Sequence, residues 1–252
     1  MFPIRDHNPS TRVPFVTYLL MAANIGVFLS YVGLLGNERA LFELFWTWGA
    51  VPVKITHGVG LEGLFTSMFL HAGFMHLAGN MLFLWIFGDN LEDKMGHFGF
   101  VLFYLASGLG AVALQIAVAP MSEVPMVGAS GAIAGVMGGY LLLFPRARVD
   151  VLVIIIIVFK VFPMPSWIML AVWFGLQVFN GALNPVDGGG VAHWAHAGGF
   201  IVGFLATVPV WLRAGGPAFW ARTEGHPDHP EAEYTAVRSR IPTVRRRRQK
   251  RR

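Results

Sequence analysis

Long runs of apolar residues alternate with short polar segments over most of the chain. Because a helix needs about 20 apolar residues to cross a bilayer core of about 30 Å, each such run is a candidate membrane span. The pattern predicts six transmembrane helices, at 15–35, 74–90, 98–119, 128–144, 166–183 and 193–212. The expected fold is therefore an all-α membrane protein built as a six-helix bundle.

Two apolar segments need separate arguments. The first, 15–35, follows two arginines as a signal peptide would, but its 21 residues exceed the apolar core of a typical signal peptide, which favours an uncleaved span. The second, Val151–Phe162, has only 12 residues between Asp150 and Pro163. As a helix it would reach about 18 Å, which is too short for a span. We interpret it as an interfacial segment that leads into the fifth helix.

Composition excludes a soluble globular protein. Apolar residues make up 55% of the 252, only 13% are charged, and the mean hydropathy is +0.57, whereas soluble domains carry about 25% charged residues. The chain has no cysteine, which excludes disulfides, thiol catalysis and cysteine-ligated metals.

The positions of the positive charges predict the orientation, since Lys and Arg are retained on the cytoplasmic side. If both termini are cytoplasmic, the first outer loop, 36–70, holds only Arg39 and Lys54, and the other two outer loops hold no Lys or Arg. The inner segments then hold most of the others, including Arg5, Arg12, Lys94, Arg146, Arg148 and the C-terminal basic residues.

The chain divides into three predicted parts: a cytoplasmic N-terminus at 1–14, a six-helix membrane domain at 15–212 and a basic, disordered cytoplasmic tail at 213–252. The tail holds 11 of the 19 Lys and Arg but only 4 of the 14 Asp and Glu. Its end, 245–252, is suited to anionic lipid, and nucleic-acid binding is disfavoured. The compact plan points to a multi-pass protein of a bacterial inner membrane.

Polar side chains inside membrane spans are costly, so they are candidates for function. His76 and Asn80 are four residues apart and project from one helix face. Two uncharged donors stacked there can stabilise a developing negative oxygen, as in an oxyanion hole. Hydrogen bonding to other helices is an equally good explanation of this pair taken alone.

Ser130 begins the fourth span, and His196 begins the sixth, both from the outer side in the predicted orientation. Proton transfer between them needs about 2.6–3.2 Å between heavy atoms. Small residues at regular spacing in both spans allow two backbones to approach closely. These glycines are Gly131 and Gly135 in the fourth span, and Gly199 and Gly203 in the sixth. A nucleophile, a base and oxyanion donors thus meet at one depth, which is the arrangement for acyl transfer.

These residues resemble the rhomboid family of intramembrane serine proteases over roughly 15–212. The motifs that carry the resemblance are His71-x4-His76-x3-Asn80, Gly88-x3-Glu92, Gly128-x-Ser130-Gly131 and Ala195-His196-x2-Gly199-x3-Gly203. The resemblance implies that Ser130 is the nucleophile, that His196 is the general base, and that His76, Asn80 and the Ser130 N–H form the oxyanion hole. It implies cleavage of transmembrane segments of membrane proteins near the outer leaflet, without cofactor or metal.

The sequence departs from the family pattern at two places. The family often has Trp-Arg in its first outer loop, where this chain has Gly63-Leu64-Phe65-Thr66. His193 stands where an aromatic residue is common, which gives the site a second candidate base. His196 is preferred because Gly199 and Gly203 share its register. We expect His71, His193 and Gly128 to line an outward-open cavity that admits water.

Three other classes of protein remain as alternatives. Four histidines, including His71 and His193, suggest a zinc or haem site, but no His-Glu-x-x-His motif is present. A transporter would also use short helices interrupted by glycine, yet no inverted repeat is visible. A purely structural membrane scaffold would leave the buried polar residues without a purpose.

We interpret Gln177 as a hydrogen-bonding partner between helices, and Glu92 as a stabilising partner of Lys94 or Arg146.

Overall fold

The computed structural model of the protein describes residues 2–155, 158–184 and 190–234. In this part of the chain, there are ten α-helices, the longer of which form a bundle, and three short strands that form one sheet. The helices are α1 (Phe15–Tyr31), α2 (Glu38–Trp48), α3 (Pro52–Thr56), α4 (Gly63–Thr66), α5 (Phe74–Met95), α6 (His97–Val118), α7 (Ser130–Leu143), α8 (Ser166–Leu183), α9 (His193–Ala214) and α10 (Pro217–Thr223). The strands are β1 (Phe2–Asp6), β2 (Arg148–Ile155) and β3 (Val158–Pro165).

Among the described residues, four helices are long and apolar enough to cross a membrane: α1 with the 3-10 turn after it, α6, α8 and α9. A fifth span results if α5 is counted with the short helical segment before it, to which it is bent by 93°. The protein is therefore a mostly helical, multi-pass integral membrane protein. Six apolar helices occur at the positions that hydropathy predicts, but α7 has only 14 residues and is shorter than a span.

Helix α7 is the centre of the bundle. All but two of its 14 residues are buried, by packing against α5, α6, α8 and α9. A helix of this length reaches about 21 Å, less than the bilayer core of about 30 Å. Because its neighbours cover it on every side, α7 needs no long lipid-facing surface of its own.

Helices α7 and α9 touch along their glycines. A Cβ atom added to Gly199 would collide with the carbonyl oxygen of Gly131, and one added to Gly203 would collide with the backbone of Gly135. These two pairs are the glycines that the sequence analysis places on facing surfaces. The backbones of the two helices can approach this closely because neither glycine of a pair has a side chain.

The sheet is a finding that the sequence analysis did not predict. Strand β2 pairs antiparallel with both β1 and β3, and Val151 lies opposite Phe162. The all-α expectation is therefore corrected, whereas the interfacial position of 151–162 stays a prediction. The described residues of this segment, 151–155 and 158–162, form strands because valine and isoleucine prefer extended backbone. The partner strand β1 is far away in the sequence, with Arg5 145 residues before Asp150, and local patterns do not reveal such a pairing.

The first part of the predicted disordered tail also differs from expectation. Residues 217–223 form α10, whose Phe219 is buried, and farther on Asp228 pairs with Lys94 at 2.7 Å. Buried aromatic surface and ion pairs hold this segment against the bundle, so disorder from residue 213 onward is wrong up to residue 234. The basic run at the C-terminus lies outside the described residues.

Glu92 has other partners than the sequence analysis predicted. Its carboxylate accepts hydrogen bonds from the backbone N–H groups of Val16 and Thr17 at 2.9 and 2.8 Å, and from His97 Nδ1 at 2.6 Å. The first N–H groups of a helix have no partner within the helix, and a negative charge beside them is favourable. Glu92 therefore joins the end of α5 to the start of α1, and the expected pairing with Lys94 or Arg146 is wrong.

Candidate active site

Ser130 and His196 are in hydrogen-bonding contact. Ser130 is the first residue of α7, and its Oγ lies 2.7 Å from Nε2 of His196, in the first turn of α9. The contact between the glycines of α7 and α9 lies directly below this pair and sets the separation of the two backbones. A hydroxyl and an imidazole at this distance can exchange a proton.

Residues of helix α8 contact the side of the His196 ring that is remote from Ser130. Oε1 of Gln177 lies 2.9 Å from Nδ1 of His196 and 2.8 Å from Nδ1 of His193. The Trp173 ring packs on His196 with 5.7 Å between ring centroids. The sequence predicted Gln177 as a hydrogen-bonding partner between helices, and its contacts with two histidines of α9 confirm this, but it gave no signal for Trp173. A polar residue in an apolar span was the available signal for Gln177, but the rotation of α8 that aims it at His196 is not visible in the sequence.

A cavity of about 770 Å³ opens above Ser130 and His196. Its lining includes Met75, His76, Gln115, Val127, Ser130 and His193. A second cavity of about 40 Å³ also adjoins Ser130, and Gly128 is part of its lining. His193 thus lines the large cavity, whereas Gly128 lines only the small one.

His71 does not line the large cavity. Its side chain is fully buried, and its ring packs edge-on against His76 with 5.0 Å between centroids. Neither ring nitrogen has a hydrogen-bond partner among the described residues. Sequence spacing places His71 near the mouth, but the backbone between α4 and α5 turns the side chain inward, so the cavity-lining expectation is corrected.

His76 and Asn80 differ in where they point. The N–H of Ala72 donates to Nδ1 of His76 at 3.3 Å, so in the neutral ring the proton lies on Nε2. That Nε2 atom is close to Gly128, where a Cβ would come within 2.7 Å of it. The amide of Asn80 instead donates to the His76 carbonyl oxygen at 3.1 Å, within its own helix. The structure brings His76 to the site and leaves Asn80 turned away from it.

The backbone around Ser130 is shaped for the site. Gly128 has φ +126°, a conformation that residues with side chains rarely adopt, and its N–H donates to the Ser67 carbonyl at 2.9 Å. This turn starts α7 at Ser130, so the Ser130 N–H belongs to the first turn, where N–H groups lack partners within the helix. In the described part of the chain, no three His, Asp or Glu residues are grouped to hold a metal ion.

A Ser–His pair beneath a cavity in a helical membrane protein defines a candidate membrane hydrolase, and the comparisons with known proteins narrow this class. The Rhomboid domain family model matches residues 60–213. The chain belongs to the rhomboid family.

Several curated relatives are similar to this chain in sequence. The Rhomboid protease GluP of Bacillus subtilis is 34% identical over 211 residues, which cover 81% of this chain and 36% of the relative. Rhomboid protein 1, mitochondrial, of Saccharomyces cerevisiae is 33% identical over 143 residues, 55% of this chain and 39% of the relative. Rhomboid-like protein 11, chloroplastic, of Arabidopsis thaliana is 34% identical over 155 residues, 58% of this chain and 50% of the relative. The chain thus spans half or less of the length of these relatives.

Proposed function

We propose that this protein is an intramembrane serine endopeptidase in which Ser130 is the nucleophile and His196 the general base. The 2.7 Å contact between Ser130 Oγ and His196 Nε2 carries the proposal. The name of the Bacillus relative, a rhomboid protease, supports it. Both side chains lie at the floor of a cavity large enough for a peptide segment.

The chemistry follows from these two groups. Ser130 Oγ attacks the peptide carbonyl carbon while its proton passes to His196 Nε2, which forms a tetrahedral intermediate. When the C–N bond breaks, His196 returns the proton to the leaving amine, and an acyl ester remains on Ser130. Water then attacks the ester with His196 again as base, which releases the new carboxyl end and restores the hydroxyl.

The negative oxygen of the intermediate needs hydrogen-bond donors. We assign this role to the Ser130 N–H at the start of α7 and to His76 Nε2–H, which lies beside Gly128. Asn80 becomes a third donor if its amide turns away from the His76 carbonyl when the substrate binds. Such tightening of catalytic contacts on binding is common in enzymes.

The substrates in this proposal are transmembrane segments of other membrane proteins, cut near the outer leaflet. The cavity of about 40 Å³ beside Ser130 holds only a small side chain, which favours a small residue next to the cleaved bond. No cofactor or metal takes part in the scheme. Neither water nor substrate needs a path through the bundle, because the large cavity adjoins Ser130 and His196 directly.

The proposed topology has six spans with both termini in the cytoplasm, and α7 counts as the short fourth span. It keeps the division into 1–14, 15–212 and 213–252, with anionic lipid as a partner of the basic tail. The charge distribution supports this orientation. A bacterial inner membrane is the proposed location, although the related proteins include a mitochondrial and a chloroplastic form.

Cleavage of a reporter in proteoliposomes tests the function. The reporter carries one transmembrane segment with small residues near its outer end, and cleavage is followed on gels. Wild type and Ser30→Ala, an exposed serine in α1, should cleave it, whereas Ser130→Ala and His196→Ala should not. His76→Ala should slow cleavage by about 10²–10³-fold through loss of one oxyanion donor. Cleavage by the Ser130→Ala protein would refute the proposal.

A further inference from the structure

Gln177 is the residue that contacts the side of His196 remote from Ser130. Its side chain is buried in α8, and Oε1 lies 2.9 Å from Nδ1 of His196. The same oxygen lies 2.8 Å from Nδ1 of His193. An amide oxygen has two lone pairs and accepts but never donates, so both imidazoles must donate to it through Nδ1–H.

This contact determines which nitrogen of His196 carries the proton. A neutral imidazole has one N–H, and if Nδ1 donates to Gln177, the lone pair is on Nε2. Nε2 is the nitrogen that lies 2.7 Å from Ser130 Oγ. The other tautomer would present an N–H to the hydroxyl and could not accept its proton.

We propose that Gln177 is a positioning residue that holds His196 in the tautomer and orientation needed of a general base. This inference rests on the proposed function. In serine proteases with a triad, a buried aspartate does this work. A neutral amide does it here without the desolvation cost of a buried carboxylate, which would be large in an apolar helix bundle.

The neighbours of Gln177 keep its oxygen in place. His193 donates to the second lone pair and so holds Gln177 in position, whereas the hydrogen-bond partner of Ser130 Oγ is His196. Trp173, one turn earlier in α8, covers the face of the His196 ring. The choice between the two candidate bases follows from this arrangement: His196 bridges Gln177 and Ser130, whereas His193 contacts Gln177 from the mouth of the cavity.

Two substitutions separate positioning from packing. Gln177→Met keeps the length of the side chain but lacks an oxygen acceptor, whereas Gln177→Glu keeps an oxygen that accepts whether or not the group is ionised. Leu176→Ala, at a half-exposed position in the same helix, is the matched control. We expect Gln177→Met to lower kcat for reporter cleavage by about 10–100-fold with KM unchanged, as for one lost hydrogen bond to the base. Gln177→Glu should recover most of the loss, and Leu176→Ala should behave as wild type.

A spectroscopic measurement tests the tautomer without relying on activity. In protein with 15N-labelled histidine, the nitrogen shifts of the neutral ring distinguish Nδ1–H from Nε2–H, and His196→Ala identifies the signals of His196. We expect Nδ1–H in wild type and in Gln177→Glu, and a substantial population of Nε2–H in Gln177→Met. A protonated Nε2 in wild type, or an unchanged Gln177→Met spectrum, would overturn the inference.

The kinetic outcomes are equally decisive. Wild-type kcat in Gln177→Met would overturn the inference, as would equal losses in Gln177→Met and Gln177→Glu, which indicate packing alone. Cleavage that persists in Ser130→Ala refutes the proposed function instead. The two failures are thus distinguishable.

Discussion

Substituting Gly199 with alanine tests whether the contact between α7 and α9 sets the distance from Ser130 to His196. A Cβ at Gly199 would lie 2.8 Å from the carbonyl carbon of Gly131 and would collide with the carbonyl oxygen. Since carbon atoms pack at about 3.5–4.0 Å, the two helices must separate by about 1 Å. The Ser130–His196 distance of 2.7 Å would then grow to about 3.7 Å, which is outside the range for proton transfer.

The expected consequences are large for both activity and stability. A displacement of about 1 Å in a catalytic pair costs about 10²-fold in rate, and overpacking a core costs about 1–3 kcal/mol. Reporter cleavage and thermal unfolding in detergent micelles measure the two effects. Gly175→Ala in α8 is the control, because a Cβ there meets nothing within 4 Å. Wild-type cleavage by Gly199→Ala would refute the reasoning.

Two further predictions concern the sheet and the start of α1. Burial raises the pKa of Asp6 from 3.8 to about 8, so the folded chain keeps a proton that the unfolded chain loses, and this group makes stability fall as pH rises from about 4 to 8. Asp6→Asn should flatten that part of the profile of thermal midpoint against pH, and an unchanged slope would contradict it. Glu92→Ala leaves the N–H groups of Val16 and Thr17 without their acceptor and should destabilise the fold by about 1–3 kcal/mol. Glu92→Gln, which keeps one acceptor oxygen, should lose less in the same unfolding assay, and equal losses would contradict the account.

Hydropathy predicted the helical, multi-pass architecture because a membrane span must be long and apolar. The motifs predicted the family, and this prediction is confirmed. Spacing along single helices was also enough to place glycines and the Ser–His pair on facing surfaces, since register on a helix is local information. The positions of Ser130 and His196 in the structure agree with that geometry.

What the sequence did not reveal depends on contacts between distant segments. Strands β1 and β2 pair although Arg5 and Asp150 are 145 residues apart, so local patterns did not predict the sheet. His71 turns inward because of the backbone path before α5, and Gln177 meets His196 because of the rotation of α8. Periodicity along one helix does not specify either arrangement.

The central claim, that His196 activates Ser130, is tested most directly by covalent labelling. Purified protein is treated with a fluorophosphonate, which reacts with activated serines, and the modified peptide is located by mass spectrometry. The account predicts one adduct, on Ser130, in wild type and in the Ser30→Ala control, and its loss in Ser130→Ala and His196→Ala. An adduct on another serine, undiminished labelling of His196→Ala, or no labelling of folded wild type would contradict it.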